Sequence, residues 1–196
     1  MVVDVETTGL DAEHDRVISF AAVPIDRGRI VAAATLYGLV NPGRSVPAET
    51  VVIHGIREAD LADAPAAPGA LQPLAAALRG RVPVAHAAFV ERAFLTGPLR
   101  KLGTRLPRHI VDTADLYRLW KLECGEPDPG LTNLGDVAAA LGLPAHRRHH
   151  AMGDALTTAQ CFLVLATHLA AGGRGTVGRL RTAGTALANA RTFGTL

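Results

Sequence analysis

Cross-links, aromatic surface and lysine charge are all scarce in this 196-residue chain. Its two cysteines, Cys124 and Cys161, fall outside any Cys-x-x-Cys or Cys/His spacing, which leaves no disulfide framework and no cysteine-based metal motif. Aromatic residues make up 4%, so contact with nucleic acid is expected to be local and mostly through the backbone rather than by extended base stacking. Tyr117 and Trp120, three apart, are read as core. Lysine occurs only at Lys101 and Lys121, and a net charge of +2 is too small to identify a nucleic-acid binder by itself. No uninterrupted apolar stretch approaches the ~18 residues that span a bilayer. A start carrying Asp4 and Glu6 also lacks the basic opening of a secretory signal. A cytoplasmic protein without membrane contact is expected.

What the chain does have is enough apolar residue, 48% of the total, for one domain with a sizeable core. That domain is expected over residues 1–171. Residues 172–196 form a basic Gly/Arg-rich tail with Arg174, Arg179, Arg181 and Arg191 and no acid, expected to be flexible; without those four charges the first 171 residues carry −2. The patterning begins with a β-branched strand, then two Val/Ile/Ala-rich stretches, 16–26 and 29–39, which read as an antiparallel hairpin about Arg27-Gly28. A Pro-punctuated loop carrying Ile53-His54-Gly55-Ile56 precedes a helix near 71–78. Short strands are expected at 81–86 and 110–112. Helices follow near 89–102, interrupted at Gly97-Pro98, then near 113–122, from 131 to Gly142, and from 151 to 171. Strands first, then strands and helices interleaved, imply a mixed α/β sheet covered by helices.

The chemistry starts at Asp4 and Glu6. Side chains alternate along a strand, so these two carboxylates emerge on one face, roughly 6 to 7 Å apart. Their repulsion is relieved by a cation between them, and oxygen-only ligands favour Mg²⁺ or Mn²⁺. Two further acids can converge there. Glu91 follows a strand end at His86; taken alone, it reads as a surface acid at a helix N-terminus or a partner of Arg92 or Arg100. Asp154 opens the last helix, with His149 on the approach to it. Five helical residues would turn ~140°, so His149 belongs to the loop and can reach the same point from outside. There it can act as general base near neutral pH. His146 and His150 are read as part of a solvated basic loop with Arg147 and Arg148. His54 is either a substrate contact or a capping histidine of its own turn, and Asp112 and Asp115 are read as helix N-terminal acids.

Three segments, Asp4-Val-Glu6-Thr7-Thr8-Gly9-Leu10, His86 to Leu95 and His149-x-Ala151-x-x-Asp154, resemble in this order the DEDD exonuclease superfamily, specifically its histidine-containing branch (DEDDh). That branch includes the proofreading epsilon subunit of bacterial DNA polymerase III and ribonuclease T. The resemblance implies a ribonuclease H-like fold, an antiparallel N-terminal hairpin plus parallel strands flanked by helices. It further implies 3′-to-5′ hydrolysis of nucleic acid to nucleoside 5′-monophosphates with two Mg²⁺ or Mn²⁺ ions per site. Asp4 would bridge the ions, with Glu6, Glu91 and Asp154 as further ligands and His149 as base. Thr7, Thr8, Gly9 and Leu10 would hold the 3′-terminal nucleotide. A single-stranded 3′ end of DNA or RNA is the implied substrate, and a DNA polymerase or another replication or repair protein an implied partner.

The second segment departs from the family's His-Asn-x-x-Phe-Asp, placing Ala87 at the Asn, Val90 at the Phe and Glu91 at the Asp. That departure motivates an alternative, a catalytically weak module that binds nucleic acid or a polymerase. Only three residues precede Asp4, so the first strand is expected to be short at its N-terminal end, and added upstream residues to raise stability.

Overall fold

β1 (Val2–Thr7) is the axis on which the molecule is built. It pairs antiparallel with β2 (Val17–Val23) and parallel with β6 (Val84–Ala85). β5 (Leu36–Leu39) adds to β2, and β7 (Val111–Asp112) to β6, giving the order β5-β2-β1-β6-β7. The computed structural model describes residues 1–176, 178–180 and 182. Eight helices are described: α1 (Ala48–His54), α2 (Glu58–Leu61), α3 (Ala67–Ala70), α4 (Gln72–Leu78), α5 (Phe89–Lys101), α6 (Thr113–Glu123), α7 (Leu134–Ala140) and α8 (Ala151–Leu169).

The period of two along β1 divides the core. Val3 and Val5 pack with Phe20, Ala22, Leu74, Leu95 and Leu99 under α4 and α5. Val2 joins Ala21 and Val23 beneath Ala155, Ala159, Phe162 and Leu165 of α8. The acids at positions 4 and 6 therefore lie on the α8 side, where small residues on the helix permit close approach.

Several expectations needed correction. The hairpin turn at Arg27-Gly28 exists, with φ of 47° and 75°, but it joins only β3 (Ile25–Asp26) and β4 (Arg29–Ile30). Proline at position 24 cannot donate to the ladder, and Ala32–Ala34 form a single 3₁₀ turn before β5. His54 ends α1 rather than lying in a loop, and Gly55 closes that helix at φ 76°. Pro98 does not interrupt α5, because Leu95 and Leu99 are fully buried on either side of it and hold the helix together at the loss of one backbone bond. α8 continues into a distorted turn, Ala170–Arg174, and that combined helix is long and apolar enough to cross a membrane. Its apolar stripe is instead spent against the sheet. Most of the tail expected at 172–196 lies outside the described residues.

Candidate active site

Opposite Asp4 on β2 stands Ala21, and opposite Glu6 stands Ser19, so the neighbouring strand offers nothing bulky to cover either carboxylate. Asp154 arrives from the first turn of α8, and its carboxylate accepts the His149 backbone N–H at 2.8 Å. Carboxylate oxygens of Asp4, Glu6 and Asp154 all fall within 4.8 Å of one another. Glu91, in the first turn of α5, is 3% exposed, and its Oε2 has no hydrogen-bond partner among the described residues.

This crowding governs ionisation. Burial, then the charges of Glu91, Glu6 and Asp154, holds the Asp4 carboxyl well above its ordinary range. Burial and the nearby Asp154 raise Glu6 to about 7, and burial raises Glu91 to about 8. Asp154 is raised by burial too, against the hydrogen bond and charge of His149. Four acids resist ionisation together, one has an orphaned oxygen, and the cationic influence of His149, Arg148 and His86 falls on Asp154. A hard divalent cation with carboxylate ligands fits that cluster.

Two devices hold the approaches. After β1, Thr8 donates from its hydroxyl to Asp15 at 2.8 Å and accepts the Arg16 N–H at 3.1 Å, while the Asp11 N–H donates to Asp15 at 3.0 Å. A Cβ on Gly9 would come within 2.3 Å of Asp15 Oδ2, so any other residue there would have to displace this carboxylate from its place in the turn. Thr8 is buried, Thr7 is hydrogen-bonded to the Gly9 carbonyl, and Leu10 projects into solvent at 81% exposure. Asp15 was not recognised in the sequence, because its role depends on the folding of a loop that has no periodicity. On the other side, Asp112 caps α6 by accepting the Ala114 N–H at 2.9 Å, as its position suggested. It also accepts the N–H groups of Ala87 and Ala88 at 3.1 and 2.9 Å. That ties the start of α5, and with it Glu91, to the end of β7.

The histidines separate by environment. His149 is exposed with a left-handed backbone, φ 53°. His54 is buried, its Nδ1 accepts the Ile56 N–H at 3.0 Å, and its Nε2 has no partner among the described residues. Burial and the charge of His149 lower its pKa. His54 thus takes the capping geometry of the two alternatives. His86 bridges the Thr113 hydroxyl and the Thr132 carbonyl, both at 3.0 Å, and burial lowers its pKa against the opposing charges of Asp112 and Asp154. The Thr132 bond assigns the ring proton to Nε2. His150 is not simply solvated, since its ring stacks on Tyr37 at 5.0 Å.

A family model described as an exonuclease matches residues 1–162. The chain belongs to this exonuclease family. In Rhodobacter capsulatus, a DNA polymerase III subunit epsilon-like protein is 35% identical over 184 residues, 93% of this chain and 26% of that protein. The chain thus spans about a quarter of that relative. The DNA polymerase III subunit epsilon of Treponema pallidum is 32% identical over 166 residues, 84% of this chain and 75% of that protein. Among solved structures, Exonuclease X in complex with 5′ overhanging duplex DNA superposes with a TM-score of 0.70 at 24% identity, covering 93% of this chain and 98% of that one. The nuclease domain of 3′hExo, a DEDDh family member bound to rAMP, gives 0.68 at 15% identity, covering 85% and 90%. The fold of this chain is ribonuclease H-like. Family members generally use divalent metal ions.

Proposed function

We propose that this exonuclease hydrolyses single-stranded nucleic acid from its 3′ end, releasing nucleoside 5′-monophosphates, with two Mg²⁺ or Mn²⁺ ions held by Asp4, Glu6, Glu91 and Asp154. The observation that carries this reading is the approach of three carboxylates within 4.8 Å beside a fourth, buried one. When bound, the cations lower the pKa of the attacking water and offset the charge gathering on the leaving 3′-oxygen. His149 takes the proton of that water from the solvent side, while its own backbone N–H keeps Asp154 in place. The turn from Thr7 to Leu10 receives the 3′-terminal nucleotide. Backbone amides face its phosphate or hydroxyl, Leu10 lies against its base, and Asp15 and the buried Thr8 fix the turn from behind. His54 caps its own turn through Nδ1, and its unpartnered Nε2 is the group left for a substrate contact. A polymerase or other replication or repair protein is the proposed partner, and the cytoplasm the proposed location.

The displaced pattern at Glu91 favours one second reading, a module that binds the same ends but cleaves them weakly. Both readings are separated by incubating 5′-labelled single-stranded DNA and RNA with the folded protein and Mn²⁺, Mg²⁺ or EDTA. A ladder shortened from the 3′ end, absent in EDTA and in Asp4→Ala, is expected. No ladder on either substrate would overturn the enzyme reading. His149→Ala should slow the ladder by about 10²-fold or more near neutral pH. A full rate in that variant would remove His149 as the base.

A further inference from the structure

Between Asp63 and Asp112 the sequence contains a single acid, Glu91, and that acid is buried in the carboxylate cluster. The same stretch holds seven lysines and arginines, all exposed. None of them forms an ion pair with any of the described residues. For a protein with a net charge of +2, this is a strong separation of charge along the sequence.

Two features shape the surface. The first is α5, whose inner face is spent on Glu91, Phe94, Leu95 and Leu99, leaving Arg92, Arg100 and Lys101 exposed on the rest of its surface, with Arg100 midway between the other two. Arg92 follows Glu91 directly, and eight residues carry the helix ~12 Å to Arg100, away from the carboxylates. The second is a groove of about 420 Å³ between the turn after α4 and the loop after α5, rimmed by Arg79, Arg81 and Arg105. Thr104 fixes that loop by donating to the Ala75 carbonyl at 3.1 Å. The groove lies at the far end of the sheet, since the Met1 amino group donates to the Val82 carbonyl at 3.0 Å. Five residues of strand, ~16 Å, separate Met1 from Glu6.

Resting on the nucleolytic reading above, we propose that this surface is a track for the phosphodiester backbone of the substrate strand 5′ of the nucleotide being removed. The strand would leave the carboxylate cluster along the exposed surface of α5 and end in the Arg79, Arg81 and Arg105 groove. A backbone of uniform negative charge fits unpaired cations of one sign. Six of the seven are arginine, whose planar guanidinium pairs with phosphate through two hydrogen bonds. A folded acidic protein would bring cations of its own, for which this stretch provides no exposed acid.

The test compares the full chain with the Arg79→Glu/Arg81→Glu/Arg105→Glu variant on oligothymidylates of 4 and 20 nucleotides, all at a distance from the carboxylates. Binding is read by fluorescence anisotropy in EDTA, and turnover with Mn²⁺ as separate KM and kcat. The p-nitrophenyl ester of thymidine 5′-monophosphate reports cleavage without a strand. For the 20-mer, Kd and KM should rise about tenfold or more, with the salt dependence of log Kd shallower by about 2, as for three lost phosphate contacts. The 4-mer, the ester and kcat should be unchanged, and the matching triple lysine variant should bind the 20-mer nearly as the parent does. A folded triple-glutamate variant with parental 20-mer Kd, KM and salt slope would overturn the track and leave the surface to an acidic protein partner. If that variant does not fold, Arg100→Glu/Lys101→Glu is judged by the same criteria. If the parent cleaves neither ester nor oligonucleotide, the nucleolytic reading fails, while the Kd comparison still tests the track.

Discussion

Ala87 has a φ of 55°, a left-handed backbone that costs an L-residue with a Cβ about 1–2 kcal/mol. It adopts this conformation because the Asp112 carboxylate holds its N–H and that of Ala88, turning the chain from β6 into α5. Asparagine tolerates that region better. Ala87→Asn is expected to raise stability by up to ~1 kcal/mol, seen as a higher melting temperature. A lower melting temperature would show that the turn is strained elsewhere. At this scale Asp4 and Glu6 were legible in the sequence because alternation along a strand needs no tertiary information. Glu91 was only half legible, since nothing local to it distinguishes a buried carboxylate from a solvated helix acid. Asp15 was not legible, because a carboxylate that organises a loop acts through contacts that only the folded loop creates.

The junction between the histidine loop and α8 depends on one position. A Cβ on Gly153 would come within 2.1 Å of the Arg147 carbonyl oxygen, a backbone atom that cannot move without carrying the loop with it. Gly153→Ala is therefore expected to push Arg147 to His149 away from α8, breaking the His149 to Asp154 hydrogen bond. Its nuclease rate should fall about tenfold or more, because small displacements of a catalytic group are costly. Unfolding should be only modestly easier, as Ala155, Ala159 and Leu165 still pack. A parental rate in this variant would mean that the loop position does not matter. Helix periodicity made α4, α6, α7 and α8 visible in sequence, and Gly142 marked the end of α7 at φ 68°. The continuity of α5 through Pro98 was hidden, since burial of Leu95 and Leu99 outweighs a local helix breaker only after the sheet is in place.

Across the whole molecule, the raised carboxylates set how stability responds to pH. Glu6 and Glu91 are held at about 7 and about 8 in the fold, against an ordinary value of 4.5. Over that interval the unfolded chain releases protons that the folded chain retains, so stability falls as pH rises from about 4.5 to about 8. Below that window both states are protonated and the penalty disappears. In EDTA, the melting temperature should drop by about 5 °C between pH 5.5 and 8.5. Saturating Mn²⁺ at pH 8.5 should restore it, because a ligand of the folded state stabilises that state. A flat profile in EDTA would mean that the acids are less crowded than their positions imply.

The central claim is that these acids form a divalent-cation centre. Its most direct test is titration of the folded chain with Mn²⁺, counting bound ions by electron paramagnetic resonance. Two ions per chain are predicted for the parent, with binding lost or reduced to one weak ion in Asp4→Asn. Equal binding by parent and Asp4→Asn, or none by the parent at millimolar Mn²⁺, would contradict the account.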